Sequence, residues 1–214
     1  MRNLGLLGCV GAIILALVLA AGYYVSVRNN LVELQENVNG QWAQVQSQYQ
    51  RRYDLIPNLV KTVEGAATFE RSTLEAVVNA RARVGQVTLP AGTAPTDPAA
   101  MAQFAAAQQG LSSALSRLLV VVEQYPDLKA NRNFLELQSQ LEGTENRIAV
   151  ERQRFNDEAR KYNTAIRRFP ASIVANMSGF AARPYFEAAA GSDKAPDVNF
   201  NFGGTATTAT TGTR

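Results

Sequence analysis

The chain has 214 residues, a net charge of +3, a pI of about 9.2, no histidine and a single cysteine. Without histidine it lacks the commonest general base and metal ligand, and a lone Cys9 in an apolar run excludes disulfides, zinc knuckles and Cys–His nucleophiles. Basic residues are scattered among acidic ones and have no aromatic interleaving, so no nucleic-acid partner is expected.

Leu4 to Val27 contains no charged residue. That is about 24 positions, or roughly 36 Å of helix, enough to cross a bilayer core of about 30 Å. Tyr23 and Tyr24 stand near its end, where amphipathic rings favour the interface. A cleaved signal peptide with a small-residue site at "LAAG" is the competing reading. Against it, the apolar run continues through Val25 and Val27 into helical periodicity. Lipidation is rejected because Cys9 comes too early. Gly8, Ala12, Ala16 and Ala20 form a small-residue stripe at four-residue spacing, which on a membrane helix permits close self-association. Chance in an alanine-rich segment is the bland alternative. Arg2 before the span and Arg28 after it slightly favour a bundle on the non-cytoplasmic side of a bacterial inner membrane, anchored by one pass.

Beyond the span, apolar residues keep helical spacing. Leu31, Trp42 and Tyr53 repeat at eleven residues, as do Leu34, Val45 and Ile56, which predicts a nearly straight helix continuing from the membrane. Its other face carries Gln35, Asn37, Asn39, Gln44, Gln46, Gln48 and Gln50. Pro57 is expected to interrupt this helix and kink it, because an interior proline clashes with the preceding turn and leaves a carbonyl unpaired. A second helical pattern follows through Leu59, Val63, Leu74, Val77 and Val84, and "GQVTLPAGTAPTDPAA" (85–100) reads as an exposed loop. A third helix is expected from Pro98 to about Tyr125, with Phe104, Leu111, Leu115, Leu118 and Val122 on its apolar side. The fourth, from about Asn131 to Phe169, carries Phe134, Leu141, Ile148, Phe155, Tyr162 and Ile166 near heptad spacing, before Pro170 stops it. A shorter segment with Ile173, Val174, Phe180, Tyr185 and Phe186 is expected to pack back on the bundle. The predicted fold is all-α: an N-terminal transmembrane helix (1–27), an antiparallel up-and-down bundle of about four long helices (28–190), and a Gly/Thr-rich flexible tail (191–214).

Polar residues interrupt the apolar seams. Glu145 and Arg152 lie one heptad apart on the fourth helix, with Asn146 beside them; Glu70 and Arg81 fall on the second; Arg51, Arg52, Asp54 and Asn58 surround Pro57. Carboxylates in a bundle can hold metals or transfer protons, but the bundle metal sites need Glu-x-x-His pairs, and histidine is missing. We read these residues as a polar network at the helix joint that fixes register, with a binding surface as the second reading. No catalytic, cofactor-binding or metal residue is assigned.

At these positions the chain resembles the LemA family of bacterial membrane proteins. The resemblance rests on "NGQWAQVQSQYQRRYDLIPNLVKTVEGAA" (39–67), "NARARV" (79–84) and "NRNFLELQSQLEGTENRIAVERQRFNDEARKYNTAIRRFP" (131–170), with Phe180 and Tyr185–Phe186 after them. It implies a single membrane helix before a helical bundle, with no catalytic residues to carry over. The expected function is a membrane-anchored, non-enzymatic scaffold of the bacterial envelope that self-associates. Its partners would be membrane lipid, further copies of itself and other envelope proteins, with no small-molecule substrate and no cofactor. The alternative is a membrane-tethered adapter or sensor that positions a protease or signalling partner.

Overall fold

In the computed structural model, residues 2–65, 70–87 and 89–187 are described. The tail expected over 191–214 lies outside them. The described residues form α1 (Arg2–Glu64), α2 (Arg71–Gln86), α3 (Pro98–Val122), α4 (Pro126–Lys129), α5 (Arg132–Arg167) and α6 (Ala171–Ser178). Their starts follow local chemistry. Asp97 accepts a hydrogen bond from the Ala99 N–H with Pro98 in the first turn, and Asn131 accepts from the Asn133 and Phe134 N–H groups. Gly179 closes α6 in the left-handed conformation, at φ 73°.

Helix α1 has 63 residues and spans about 95 Å at 1.5 Å per residue. Its N-terminal part is the one helix among the described residues long and apolar enough to cross a membrane, and the window that qualifies is 0% buried within the chain. From Leu31 onward α1 runs antiparallel to α5, so that Gln41 meets Glu151 and Arg52 meets Glu145. Helices α2 and α3 pack on one another over the far half of α1.

Pro57 does not end α1, contrary to the sequence expectation; the helix continues to Glu64, and α2 begins at Arg71. Two physical terms account for this. An interior proline costs about 3 kcal/mol. Leu59, Val60 and Val63 are all buried by continuing the helix, each worth about 1.5–3 kcal/mol. The missing Pro57 N–H would also orphan the Tyr53 carbonyl four residues back, but Arg81 Nε of α2 donates to it at 3.3 Å. The Arg81 guanidinium carbon lies 3.8 Å from the centre of the Tyr53 ring.

The core falls into two apolar clusters along the bundle axis. The membrane-proximal one gathers Leu31, Val38, Trp42, Val45 and Tyr49 of α1, Phe104 of α3, Ile148, Phe155, Tyr162 and Ile166 of α5, and Phe186. Trp42 is its hub, with ring centroids 5.5 Å from Phe104, 5.5 Å from Phe155 and 6.0 Å from Phe186. The distal cluster joins Ile56, Leu59 and Val63 to Leu74 and Val77 of α2, Leu111 to Val122 of α3, Leu128 of α4, and Phe134 and Leu141 of α5. Four long helices therefore surround only the distal half.

Irregular chain fills the remaining side of the proximal half, held by side-chain amides. Asn163 donates to the Arg183 carbonyl and accepts its N–H, both at 2.8 Å; Asn156 does the same with Phe186, also at 2.8 Å. Seven helical residues rise about 10.5 Å and three extended residues about 10 Å, so the two spacings coincide. The loop expected to be exposed over 85–100 is strapped down in the same way. The Asn39 side chain accepts the Ala94 N–H, Gln46 bridges Gly92 N–H and the Pro90 carbonyl, and Ala94 and Pro95 are buried. Replacing Asn163 with Ala orphans two buried main-chain groups at about 1–3 kcal/mol each. Asn163→Ala should lower the denaturation midpoint and speed hydrogen exchange at Arg183 and Phe186, while leaving the distal half protected.

Candidate functional site: a buried arginine layer

Arg52 is 1% exposed and lies between the two apolar clusters on every helix that surrounds it. On α1 it falls between Tyr49 and Ile56; its partners Gln108 and Glu145 fall between Phe104 and Leu111 on α3 and between Leu141 and Ile148 on α5. Nη1 donates to Ser112 Oγ at 2.7 Å and to Glu145 Oε2 at 2.6 Å. Nη2 donates to the Gln108 side-chain oxygen at 2.5 Å and to the Gln108 carbonyl at 3.3 Å. Ser112 Oγ also donates to Glu145 Oε1 at 3.1 Å, which closes a ring of contacts. Tyr49 lies below the guanidinium, 5.2 Å from ring centre to carbon. Burial pushes the Tyr49 phenol above its ordinary range, against the lowering fields of Arg152 and Arg52.

The layer is asymmetric. Arg52 is enclosed, whereas the Glu145 side chain is 51% exposed, so the layer is open to water at its Glu145 end. A guanidinium is never deprotonated in a protein and cannot act as a base. The carboxylate already accepts from both Arg52 and Ser112. Such a layer holds three helices at one level; it presents no activated nucleophile. Beside it a groove of about 350 Å³ is lined by Gln46, Tyr49, Gln50, Tyr53, Gly85 and Gln108 among others, with tyrosine phenols as its only titratable groups among the described residues. No three Cys, Asp or Glu side chains converge to hold a metal among the described residues.

The nine polar residues singled out in the sequence do not form one network. Arg52 and Glu145 meet at the layer. Arg81 serves the Tyr53 carbonyl instead, and Arg152 lies over the Phe186 ring at 4.7 Å and donates to the Glu187 carbonyl at 3.1 Å. Arg51 and Asn146 are exposed, Asp54 accepts from Gln50 at the surface, and the Asn58 carbonyl accepts from Thr62 Oγ1. Glu70 is the exposed residue before α2 and accepts from Ser72 Oγ. The carbonyl freed by Pro57 is reached by Arg81 of α2 and not by the polar residues around the proline on α1.

Gln108 and Ser112 escaped the sequence reading. Gln108 interrupts the stripe Phe104–Leu111–Leu115 at helical spacing, so a signal existed. Asn156 and Asn163, a heptad apart on α5, were a second such signal. Of the membrane stripe, Ala12, Ala16 and Ala20 are exposed along α1, and Gly8 shares their helix.

An N-terminal membrane-spanning helix that continues unbroken into a helical bundle defines a single-pass membrane protein with a helical domain. Residues 41–200 match the LemA family, and the chain belongs to it. It is 28% identical over 173 residues to the magnetosome protein MamQ of Magnetospirillum gryphiswaldense, covering 74% of this chain and 64% of that one. It is 28% identical over 174 residues to the magnetosome protein MamQ 2 of Paramagnetospirillum magneticum, with the same coverage. Against the protein LemA of Metamycoplasma hominis the identity is 24% over 152 residues, covering 71% of this chain and 65% of that one. The match thus spans somewhat under two thirds of each relative's length.

Removing Arg52 leaves Glu145, Gln108 and Ser112 facing a void, and breaking a buried pair typically costs about 3–5 kcal/mol. Arg52→Ala should therefore lower the melting temperature strongly. Glu145→Ala should lower it as well, because it leaves the enclosed Arg52 cation with only neutral acceptors. An unchanged melting temperature in either variant would contradict the role of the layer in holding the helices.

Proposed function

We propose that this protein is a membrane-anchored, non-enzymatic helical scaffold of the bacterial envelope that self-associates. The observation that carries this reading is the continuity of α1 from the membrane span into both core clusters. One helix that is anchor and core together gives the bundle a fixed height and orientation above the lipid, as a scaffold needs and an enzyme does not. The ionisable side chains nearest the centre are engaged in holding helices, which supports a structural role. The exposed stripe of Ala12, Ala16 and Ala20 supports association within the membrane, where small residues let helices approach closely. Similar chains that carry the name magnetosome protein support a role in building a bacterial structure. Arg2 and Arg28 favour a bundle on the non-cytoplasmic face of the inner membrane.

Native mass spectrometry of the full chain in detergent tests the proposal. A discrete oligomer that survives dilution, and that Ala12→Leu/Ala16→Leu reduces to smaller species without loss of helix content, is the expected result. A monomer at every concentration overturns self-association and favours the adapter reading, in which the chain positions a protease or signalling partner.

A further inference from the structure

We infer that α6 and the turn before it form a second membrane contact, in which Phe169, Ile173 and Met177 insert into the lipid interface beside the span. Helix α6 is amphipathic over two turns. Val174 and Ala175 are buried against the bundle, whereas Ile173 is 52% exposed and Met177, one turn on, 73% exposed. Phe169 precedes them and is 77% exposed, among the most exposed large apolar side chains of the domain. In water these three would be a liability. Their position supplies the occupant. Tyr24 Oη and Ser178 Oγ are 3.0 Å apart, which ties the end of α6 to a residue inside the uncharged run of α1. Tyr24 precedes the end of that run by about 4.5 Å of helix rise. Ser178 therefore shares the depth of the headgroup boundary, where interfacial helices bury their apolar faces by about 5–10 Å.

Charge agrees with this placement. Arg28, Arg167 and Arg168 are exposed at the same end of the bundle, and no ion pair engages them among the described residues. Three free cations flanking an apolar face match a lipid surface with anionic headgroups. The contact is thus continuous with the span and holds the bundle base on the membrane. It does not depend on self-association.

The test uses the full chain with Cys9→Ser, carrying one fluorescent thiol label at Met177→Cys, in vesicles of zwitterionic and anionic lipids brominated near the top of the acyl chains. Val120→Cys, on the exposed side of α3, is the aqueous control, and Leu15→Cys the control within the span. The expected result is loss of emission at positions 15 and 177 but not at 120. In the Arg167→Gln/Arg168→Gln variant the loss at 177 should be smaller in anionic vesicles than with both arginines present. Quenching at 15 with full emission at 177 overturns the contact while leaving the span intact. Self-transfer between labels at 177 without bromine quenching assigns the face to a second copy and also overturns it. Full emission at 15 overturns both the span and the contact.

Discussion

The bundle is organised around one enclosed cation. Arg52 reaches acceptors on α3 and α5 from α1, so it fixes the level at which three helices meet. Apolar packing above and below it is tolerant of small slips, since leucine and valine fit many holes. A guanidinium with four directed contacts is not tolerant, because a shift of one turn would leave a buried charge unpaired. The layer need add little net stability, given the cost of desolvating Arg52. Its consequence is register: the proximal cluster with Trp42 and the distal cluster with Leu59 and Leu118 are aligned by the polar ring between them. Polar groups at core positions of coiled coils act in the same way.

Side-chain amides carry the second tier of the architecture. Asn39 and Gln46 on α1, and Asn156 and Asn163 on α5, each offer a donor and an acceptor on a helix face. They therefore pair with peptide groups much as a neighbouring strand would. Because α2 is only 16 residues long, no fourth long helix reaches the proximal half. The amides let the 87–97 connection and the 180–187 segment close that side without orphaning their backbone. Arg183 links the two segments, with its main chain held by Asn163 and its Nη1 donating to the Ala94 carbonyl at 2.5 Å.

These two devices place the less regular half of the domain next to the membrane. There α1 is anchor and core at once, and its continuity through Pro57 carries that anchoring into the distal cluster. Arg81 makes this possible by accepting the role of the missing proline N–H donor toward Tyr53. The result is a bundle whose height and orientation follow from its span, with α6 tied back to Tyr24 at its base.

Much of this was legible in the residues themselves. The uncharged run from Leu4 to Val27, the eleven-residue repeats through Trp42 and the heptads from Phe134 to Ile166 are local periodicities, and local periodicity fixes helices and their apolar faces. Asp97, Asn131 and Gly179 mark helix ends for the same local reason. Which polar residues meet was not legible, because a pairing such as Arg52 with Glu145, 93 residues apart, depends on how α5 lies against α1. The fate of Pro57 was likewise decided in tertiary structure: burial of three side chains and a donor from α2 outweighed a local penalty that, read alone, interrupts a helix. The sequence by itself determined where helices form and which face each buries, since those depend on neighbours within a turn or two. Only the packed structure decided which interruptions become joints, which become clamps and which are absorbed, since those depend on partners that the chain brings together from far away.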